Sequence, residues 1–425
     1  MLVSNFLVLN NGKARQVDLP ASNRLRMHLR TYEPFSLINN GLLNSYPSLH
    51  HDEKSQIVVV GGGITGALVS HALMQKNYSV IMIDRRDIGC GSTAATTSML
   101  QYEIDVPLYK LADMIGENEA VFCYRQGIEA IGRLEQLVRE NDIDCGFEKK
   151  QSLFVARNCG DASWLIKEFE MRQKYNLGVR WLGKEEVFND YGIRSQGAIL
   201  SSVAGSVDAY RLTHRLIAMN AARGMQVYDQ TFAEKFDLNS TGATVYLESG
   251  NNIRCDKVVF CSGYEAAEIL KEQPADLFYT YACVSERGIK LPAAIKNTLV
   301  WDTGNPYLYM RTTDDGRLLV GGEDSANRLF FLNRTRKIKS KRLHSKLKRL
   351  MPGTEFLEDF SWGGTFGSTK DGLPYVGLSP EYKNAVFVLA YGGNGITFSA
   401  QAMQIVTELL DGKENDLAKL YRFGR

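Results

Sequence analysis

The sequence predicts an α/β fold of two interleaved domains, one built around a nucleotide-binding turn and the other on a large mixed β-sheet. Three observations carry this. Residues 56–84 read QIVVVGGGITGALVSHALMQKNYSVIMID, a strand, a glycine turn, a helix and a second strand. Residues 385–410 repeat strand, glycine turn and helix near the other end of the chain. Strand-rich stretches at 147–206 and 279–322 lie between them, so pieces of the first domain recur on both sides of the second. The first domain is placed at 55–141, 205–265 and 360–425, and the second at 142–204 and 266–359. Residues 1–54, polar and broken by Asn, Gly, Pro and Ser, read as an arm laid over the surface.

Val and Ile at 57–60 suit a strand buried on both faces. Gly61, Gly63 and Gly66 follow in the order G-x-G-x-x-G. The first permits a tight turn, the second lets backbone approach a pyrophosphate, and the third lets the helix pack on the strand. The helix N-terminus offers N–H groups to phosphate, and Asp84, at the tip of the second strand, can accept hydrogen bonds from a ribose diol. Glycines in this order are a weak signal alone. With strand, helix and acid at these offsets they point to a dinucleotide.

Further along, the apolar spacing of Leu108, Leu111, Ile115, Ile128, Ile131, Leu134 and Leu137 makes 103–141 helical. Helices are expected at 164–174 and 207–222, a hairpin about 239–242, and a strand at 257–261 leading into Ser262-Gly263. Residues 279–322 read almost wholly as strand, with a turn at Asp314-Asp315-Gly316. Residues 334–349 hold nine Lys or Arg and no acid, with Leu343, Leu347 and Leu350 in one stripe. That is an amphipathic helix stopped by Pro352-Gly353, its charges read as a solvated face.

A chain of 425 residues is long enough for two sizeable cores. A net charge of +2 gives no reason to invoke nucleic acid or an anionic membrane as the main partner. Seven scattered cysteines without a C-x-x-C pair, and six histidines without paired spacing, argue against a metal site. No secretory signal is visible and no apolar run approaches the ~20 residues of a membrane span. A cytoplasmic location is expected, with peripheral membrane association left open.

After Asp84 comes RRDIGCGSTAATTSMLQYEID, and later come WGGTFGSTKDGLPYVG (362–377) and AYGGNGITFSAQAM (390–403). With the dinucleotide turn, this set resembles the FAD-dependent D-amino-acid oxidase superfamily, the group of glycine oxidase, sarcosine oxidase, D-amino-acid dehydrogenase and γ-glutamylputrescine oxidase. The resemblance spans about 55–410. It implies a Rossmann-like FAD domain and a substrate domain whose mixed sheet lies over the flavin. By position, it puts Gly61, Gly63 and Gly66 at the pyrophosphate, Asp84 at the ribose and Arg85 near the adenine. Gly91, Ser92 and Thr93 would run beside the pyrophosphate and ribityl chain, and Ser262 and Gly263 would close the adenine side. Gly393, Asn394, Gly395, Ile396 and Thr397 would face the flavin pyrimidine end, where a helix N-terminus favours the negative charge of reduced flavin.

The same resemblance implies C–N bond oxidation by hydride transfer to flavin N5. The substrate is a small-molecule amine, and electrons leave to O2 or to a quinone or carrier protein. Relatives that tether FAD do so through a Cys or His, and neither occupies the matching stretches, so FAD is expected to be non-covalent. Phe366 stands where glycine oxidase has a carboxylate-binding Arg, and residues 94–105 lack the Arg of sarcosine oxidases. A phenyl ring cannot replace a bidentate contact. A cationic amine fits better, with Glu103 or Asp105 as its partner unless these are merely helix N-terminal acids. Tyr307, Tyr309 and Arg311 alternate onto one strand face that lines the substrate cavity in relatives. Arg311 is either a relocated anion anchor or an outward-facing sheet residue. Lys370 is either near flavin N5 or in a surface ion pair. Two rival readings stand beside this one: an NADP-dependent dehydrogenase with Arg85 and Arg86 on a 2′-phosphate, and a non-catalytic flavin-binding protein.

Overall fold

The computed structural model describes residues 16–18, 29–239, 241–270, 274–326, 332–379 and 381–425. The remainder of the expected N-terminal arm, including the chain start read for a leader, lies outside the described residues. Two large sheets organise the rest. In the first, five strands run parallel in the order Gln226–Tyr228, Val80–Ile83, Glu53–Val60, Asn252–Phe260, Ala385–Leu389. Their register aligns Val58 with Ile81 on one side and with Val258 on the other. Antiparallel strands Gly242–Leu247, Ala233–Asn239 and Gln16–Asp18 extend this sheet beyond the N-terminal half of Asn252–Phe260, and Tyr375–Leu378 flanks Ala385–Leu389.

These strands are runs of Val and Ile because both faces are covered. Helices Ile64–Gln75, Glu117–Glu140, Ala209–Ala222 and Gly395–Leu410 contribute to one apolar cluster. On the other face, Phe260 stacks on Phe387 at 4.6 Å and meets Phe236 edge-on at 4.9 Å. The sequence run expected as one helix over 103–141 is two, Leu108–Ile115 and Glu117–Glu140. Gly116, at φ +100°, breaks it in a conformation other residues rarely adopt.

The second sheet has the order Arg30–Thr31, Glu358–Ser368, Asp276–Ser285, Leu318–Ala326, Leu308–Thr312, Thr298–Asp302, Glu148–Val155, Ala198–Ser206, Met99–Leu100. It is mixed, since Thr298–Asp302 runs parallel to Glu148–Val155 while the other pairings are antiparallel. The domain boundaries expected at 205 and 360 fall inside two of its strands, and Met99–Leu100 joins it from within 55–141. Long-range strand pairing decides membership of a sheet, and local composition does not record it. The arm likewise is not only laid on the surface: Gln16–Asp18 extends the first sheet and Arg30–Thr31 the second.

The basic helix spans Leu332–Leu350 and buries Leu343, Leu347 and Leu350, each adding about 1.5–3 kcal/mol by its removal from water. Its cations are not all solvated, however. Lys346 Nζ lies 2.5 Å, Lys339 Nζ 3.6 Å and Arg342 Nη1 3.7 Å from the buried Glu323 carboxylate. No helix among the described residues is long and apolar enough to cross a membrane.

Candidate functional site

One long cavity lies between the two sheets and takes its walls from both. Its first end is the turn after Glu53–Val60. Gly61 has φ +114°, and a Cβ there would sit 2.5 Å from the Cys261 carbonyl oxygen. A Cβ on Gly66 would sit 1.9 Å from Gly61 O, so the helix packs directly on the turn. Gly66 lies behind the cavity wall, whereas Gly61 and Gly63 form it. Thr93 Oγ1 accepts the Ile64 N–H at 3.0 Å, fixing the GST turn against the start of helix Ile64–Gln75. Gly91, Ser92, Ser262 and Gly263 line the same region. The Ser262 hydroxyl is buried without a hydrogen-bond partner, as expected of a group that meets a ligand.

Asp84 faces the cavity while its carboxylate accepts the Gly62 N–H at 2.7 Å and the Arg86 N–H at 2.8 Å. Burial pushes its pKa up to about 6, against the pull of those two N–H groups and Arg86. Arg85 and Arg86 also line the cavity, and both pair with the Glu265 carboxylate, Arg86 at 2.6 Å. Glu265 thus engages both guanidiniums and Asp84 stands beside Arg86, which weakens the support for a 2′-phosphate site. A glycine cradle and a helix N-terminus are the donors that a dinucleotide diphosphate requires, and the acid at the second strand tip is the acceptor for its ribose hydroxyls.

At the far end, helix Gly395–Leu410 points its N-terminus at the cavity, with Gly393, Asn394, Gly395 and Ile396 on the wall. Asn394 Nδ2 donates to Glu103 O at 2.7 Å and Gln101 O at 3.0 Å, so its amide also holds the neighbouring segment. Thr397 is buried, does not line the cavity, and donates to Gln101 O at 3.1 Å. Its hydroxyl thus braces the segment behind the wall. The Gly393 N–H is taken by Asp105 Oδ2 at 2.9 Å. Burial holds the Asp105 pKa above the usual carboxylate range, against that hydrogen bond.

The second sheet supplies Trp301, Tyr307, Tyr309, Asp324 and Phe366 to this end. Tyr307 and Tyr309 lie 5.7 Å apart, and Trp301 meets Tyr307 edge-on at 6.3 Å. The Tyr309 ring fits because Gly321 opposite has no side chain; a Cβ there would fall 2.3 Å from the ring. Asp324 is the residue that sequence reasoning missed. One of its oxygens is buried without a partner. Burial, with Asp105 adding to it, raises its pKa to about 6 against the Thr280 hydroxyl, Lys339 and Lys346. The pair of glycines before it, at 321 and 322 in a strand, marked close packing there. Among the described residues, Arg85 and Arg86 are the only cations on the cavity wall.

Two more expected site residues lie off the wall, and a third is on it with partners of its own. Arg311 is buried and off the cavity wall, with Nε donating to Thr97 O at 2.5 Å and Nη1 to Thr312 O at 2.9 Å. A desolvated guanidinium needs acceptors, and backbone carbonyls supply them. Lys370 is exposed and off the wall. Asp371 Oδ1 accepts the Leu373 N–H at 3.0 Å in a turn that carries Lys370 outward, and Arg425 Nε holds the other oxygen at 2.7 Å. Glu103 does reach the wall, where Ser201 Oγ donates to its Oε1 at 2.7 Å and Arg172 lies 3.5 Å away, while its Oε2 is buried without a partner. Arg172 in turn holds Glu168 at 2.6 Å in a fully buried trio.

One metal-like constellation was not foreseen: Cys283, His344 and Glu358 place ligand atoms within 4.8 Å of one another. Glu358 already accepts from Ser340 and, at 2.6 Å, from Ser361, with His344 2.9 Å away. Burial holds the Cys283 thiol protonated. We read it as a hydrogen-bonded support under the basic helix.

A family model described as FAD dependent oxidoreductase matches residues 56–409. Glycine oxidase of Geobacillus kaustophilus (strain HTA426) is 25% identical over 381 residues, which cover 85% of this chain and 95% of that protein. Gamma-glutamylputrescine oxidoreductase of Escherichia coli (strain K12) is 23% identical over 403 residues, covering 90% of this chain and 87% of its own. The crystal structure of the Geobacillus kaustophilus glycine oxidase superposes with a TM-score of 0.74 at 21% identity, over 88% of this chain and 99% of that one. The structural likeness is one of fold.

Proposed function

The chain belongs to the FAD dependent oxidoreductase family, and on that premise we propose that it oxidises a C–N bond of an amine carrying a second positive charge, with FAD held non-covalently. FAD, when bound, supplies the hydride acceptor at its N5 atom. Gly61, Gly63, Ser92 and Thr93 would hold the diphosphate and Asp84 the ribose. Among the described residues no His lines the cavity, and burial keeps the one Cys there, Cys261, as the thiol, which supports a dissociable cofactor.

One observation carries the substrate class. The second-sheet end of the cavity presents Asp105 and Asp324 among Trp301, Tyr307, Tyr309 and Phe366, and among the described residues no cation stands beside them on the wall. A substrate carboxylate placed there meets two acids and, among the described residues, no guanidinium. A cation instead meets carboxylates and aromatic faces, each worth roughly 1 kcal/mol or more when desolvated. The reacting nitrogen must be neutral to give up hydride from its neighbouring carbon, so the charge these acids bind belongs to a second group. This chain's residues thus orient the substrate by its non-reacting end, while the aromatic walls exclude water.

Anaerobic mixing with a panel of diamines, monoamines and amino acids tests this. Diamines should bleach the flavin fastest, and faster saturable bleaching by glycine or D-alanine would overturn the assignment. Repeating the turnover with O2, a quinone and a carrier protein reads the electron acceptor.

A further inference from the structure

We infer that residues 29–31 form a strap that holds the flavin cofactor in its cavity, a cofactor-binding role for a segment that lies before the family-matched residues. Leu29 lines the cavity and is only 9% exposed. Its side chain rests on the GST turn: a Cβ added to Gly91 would meet Leu29 Cδ1 at 3.2 Å. Next to it, Arg30 Nε donates to Cys90 O at 3.1 Å, which ties the strap to the residue before that turn. On the other side, Leu29 O accepts the Thr365 N–H at 2.9 Å, and Arg30 and Thr31 pair with Gly364 and Gly363. Gly364, Thr365 and Phe366 are themselves cavity wall. The strap therefore bridges the cofactor turn of one sheet and strand Glu358–Ser368 of the other.

The chain that follows is fastened at the same end of the cavity, beside the ribose acid. Asn40 Nδ2 donates to Asp208 Oδ2 at 2.7 Å, and the Tyr46 N–H to Asp229 Oδ2 at 2.8 Å. The Leu49 N–H reaches Thr231 Oγ1 at 3.1 Å, and Thr231 N–H donates to Asp84 O at 2.7 Å, beside the ribose acid. One segment thus touches the walls expected at the diphosphate and at the ribose. A two-residue strand at a sheet edge opens at low cost compared with the sheet it joins. A ligand that contacts only the closed strap is released through its opening and stabilises the closed state by mass action.

The test compares FAD release from the wild-type holoenzyme, Leu29→Ala and Arg30→Ala, followed by the rise of free-flavin fluorescence on dilution, with the melting temperature of each apoprotein as a control. Release should quicken by on the order of tenfold in Leu29→Ala, as expected for losing a leucine's apolar contact, with smaller acceleration in Arg30→Ala. Wild-type release rates in both folded variants would overturn the inference. Amide hydrogen exchange of the wild-type protein decides the matter if the variants fail to fold. FAD should protect the Thr365 N–H and the amides of 29–31, and equal exchange with and without FAD would overturn it.

Discussion

Replacing Gly66 with Ala tests the cofactor turn with a single methyl group. That methyl would lie 1.9 Å from the Gly61 carbonyl oxygen, where Cβ atoms are essentially never found closer than 3.0 Å. Helix Ile64–Gln75 and the turn must separate by about 1 Å, and overpacking of this kind costs ~1–3 kcal/mol. The turn cannot yield in the other direction, since Gly61 already approaches the Cys261 carbonyl so closely that a Cβ there would be 2.5 Å away. The displaced N–H groups lose charge-assisted hydrogen bonds to the diphosphate, each worth about 1.5–3 kcal/mol. Loss of one alone weakens FAD affinity by roughly 10–150-fold. Titrating apoprotein with FAD by fluorescence quenching measures this. Gly132→Ala is the internal control, because nothing lies within 4 Å of a Cβ there and the residue is exposed in helix Glu117–Glu140. It should leave FAD affinity alone and add about 1 kcal/mol of stability. Wild-type FAD affinity in Gly66→Ala would refute the argument that this turn is the phosphate cradle.

Asp324→Asn should raise KM for a diamine by about 10–100-fold, the loss of a charge-assisted contact, and leave a monoamine nearly unaffected; steady-state kinetics on both substrates check it. Asp324 attracts a cation only when ionised and its pKa is about 6, so diamine KM should fall as pH rises from 5 to 7, and the Asn variant should lose that limb. The Asp84 pKa is also raised, to about 6. In the apoprotein the folded state then binds the proton more tightly than the unfolded one, so this group's contribution to stability declines as pH rises from about 4 to about 6. A pH series of apoprotein melts, with Asp84→Asn as reference, reads that slope. Arg311→Leu should cost about 1–3 kcal/mol in denaturant unfolding, because it leaves the Thr97 and Thr312 carbonyls unpaired, without changing substrate preference. Acid precipitation should release all flavin, and yellow colour in the pellet would show a covalent link.

The first sheet was largely legible because its signals are local. Val and Ile runs, glycines at fixed offsets and the acid at Asp84 each state a physical requirement within a few residues of one another. The GST and GGNGIT turns were legible for the same reason. The second-sheet end of the cavity was not. Strand alternation put Arg311 on the face of Tyr307 and Tyr309, yet the guanidinium turns aside to Thr97, because a buried cation follows acceptors that pairing brings from residues distant in sequence. Lys370 is swung outward by the Asp371 turn. Asp324 gave no motif, and only its burial beside aromatic rings, at the end of a strand opened by Gly321 and Gly322, marks it. Glu103 read as free in the sequence, and folding delivered Arg172 from a separate helix to one of its oxygens.

The most direct measurement compares 1,4-diaminobutane with 4-aminobutanoate in anaerobic stopped-flow reduction of the flavin. The two have the same four-carbon reach from the reacting amine and differ in the sign of the far charge. Asp105 and Asp324 should bind the second ammonium and repel the carboxylate, a difference of about 3 kcal/mol or more, which is at least roughly 100-fold in second-order rate constant. Faster reduction by the aminobutanoate, or equal rates for the two, would contradict a cation-selecting cavity.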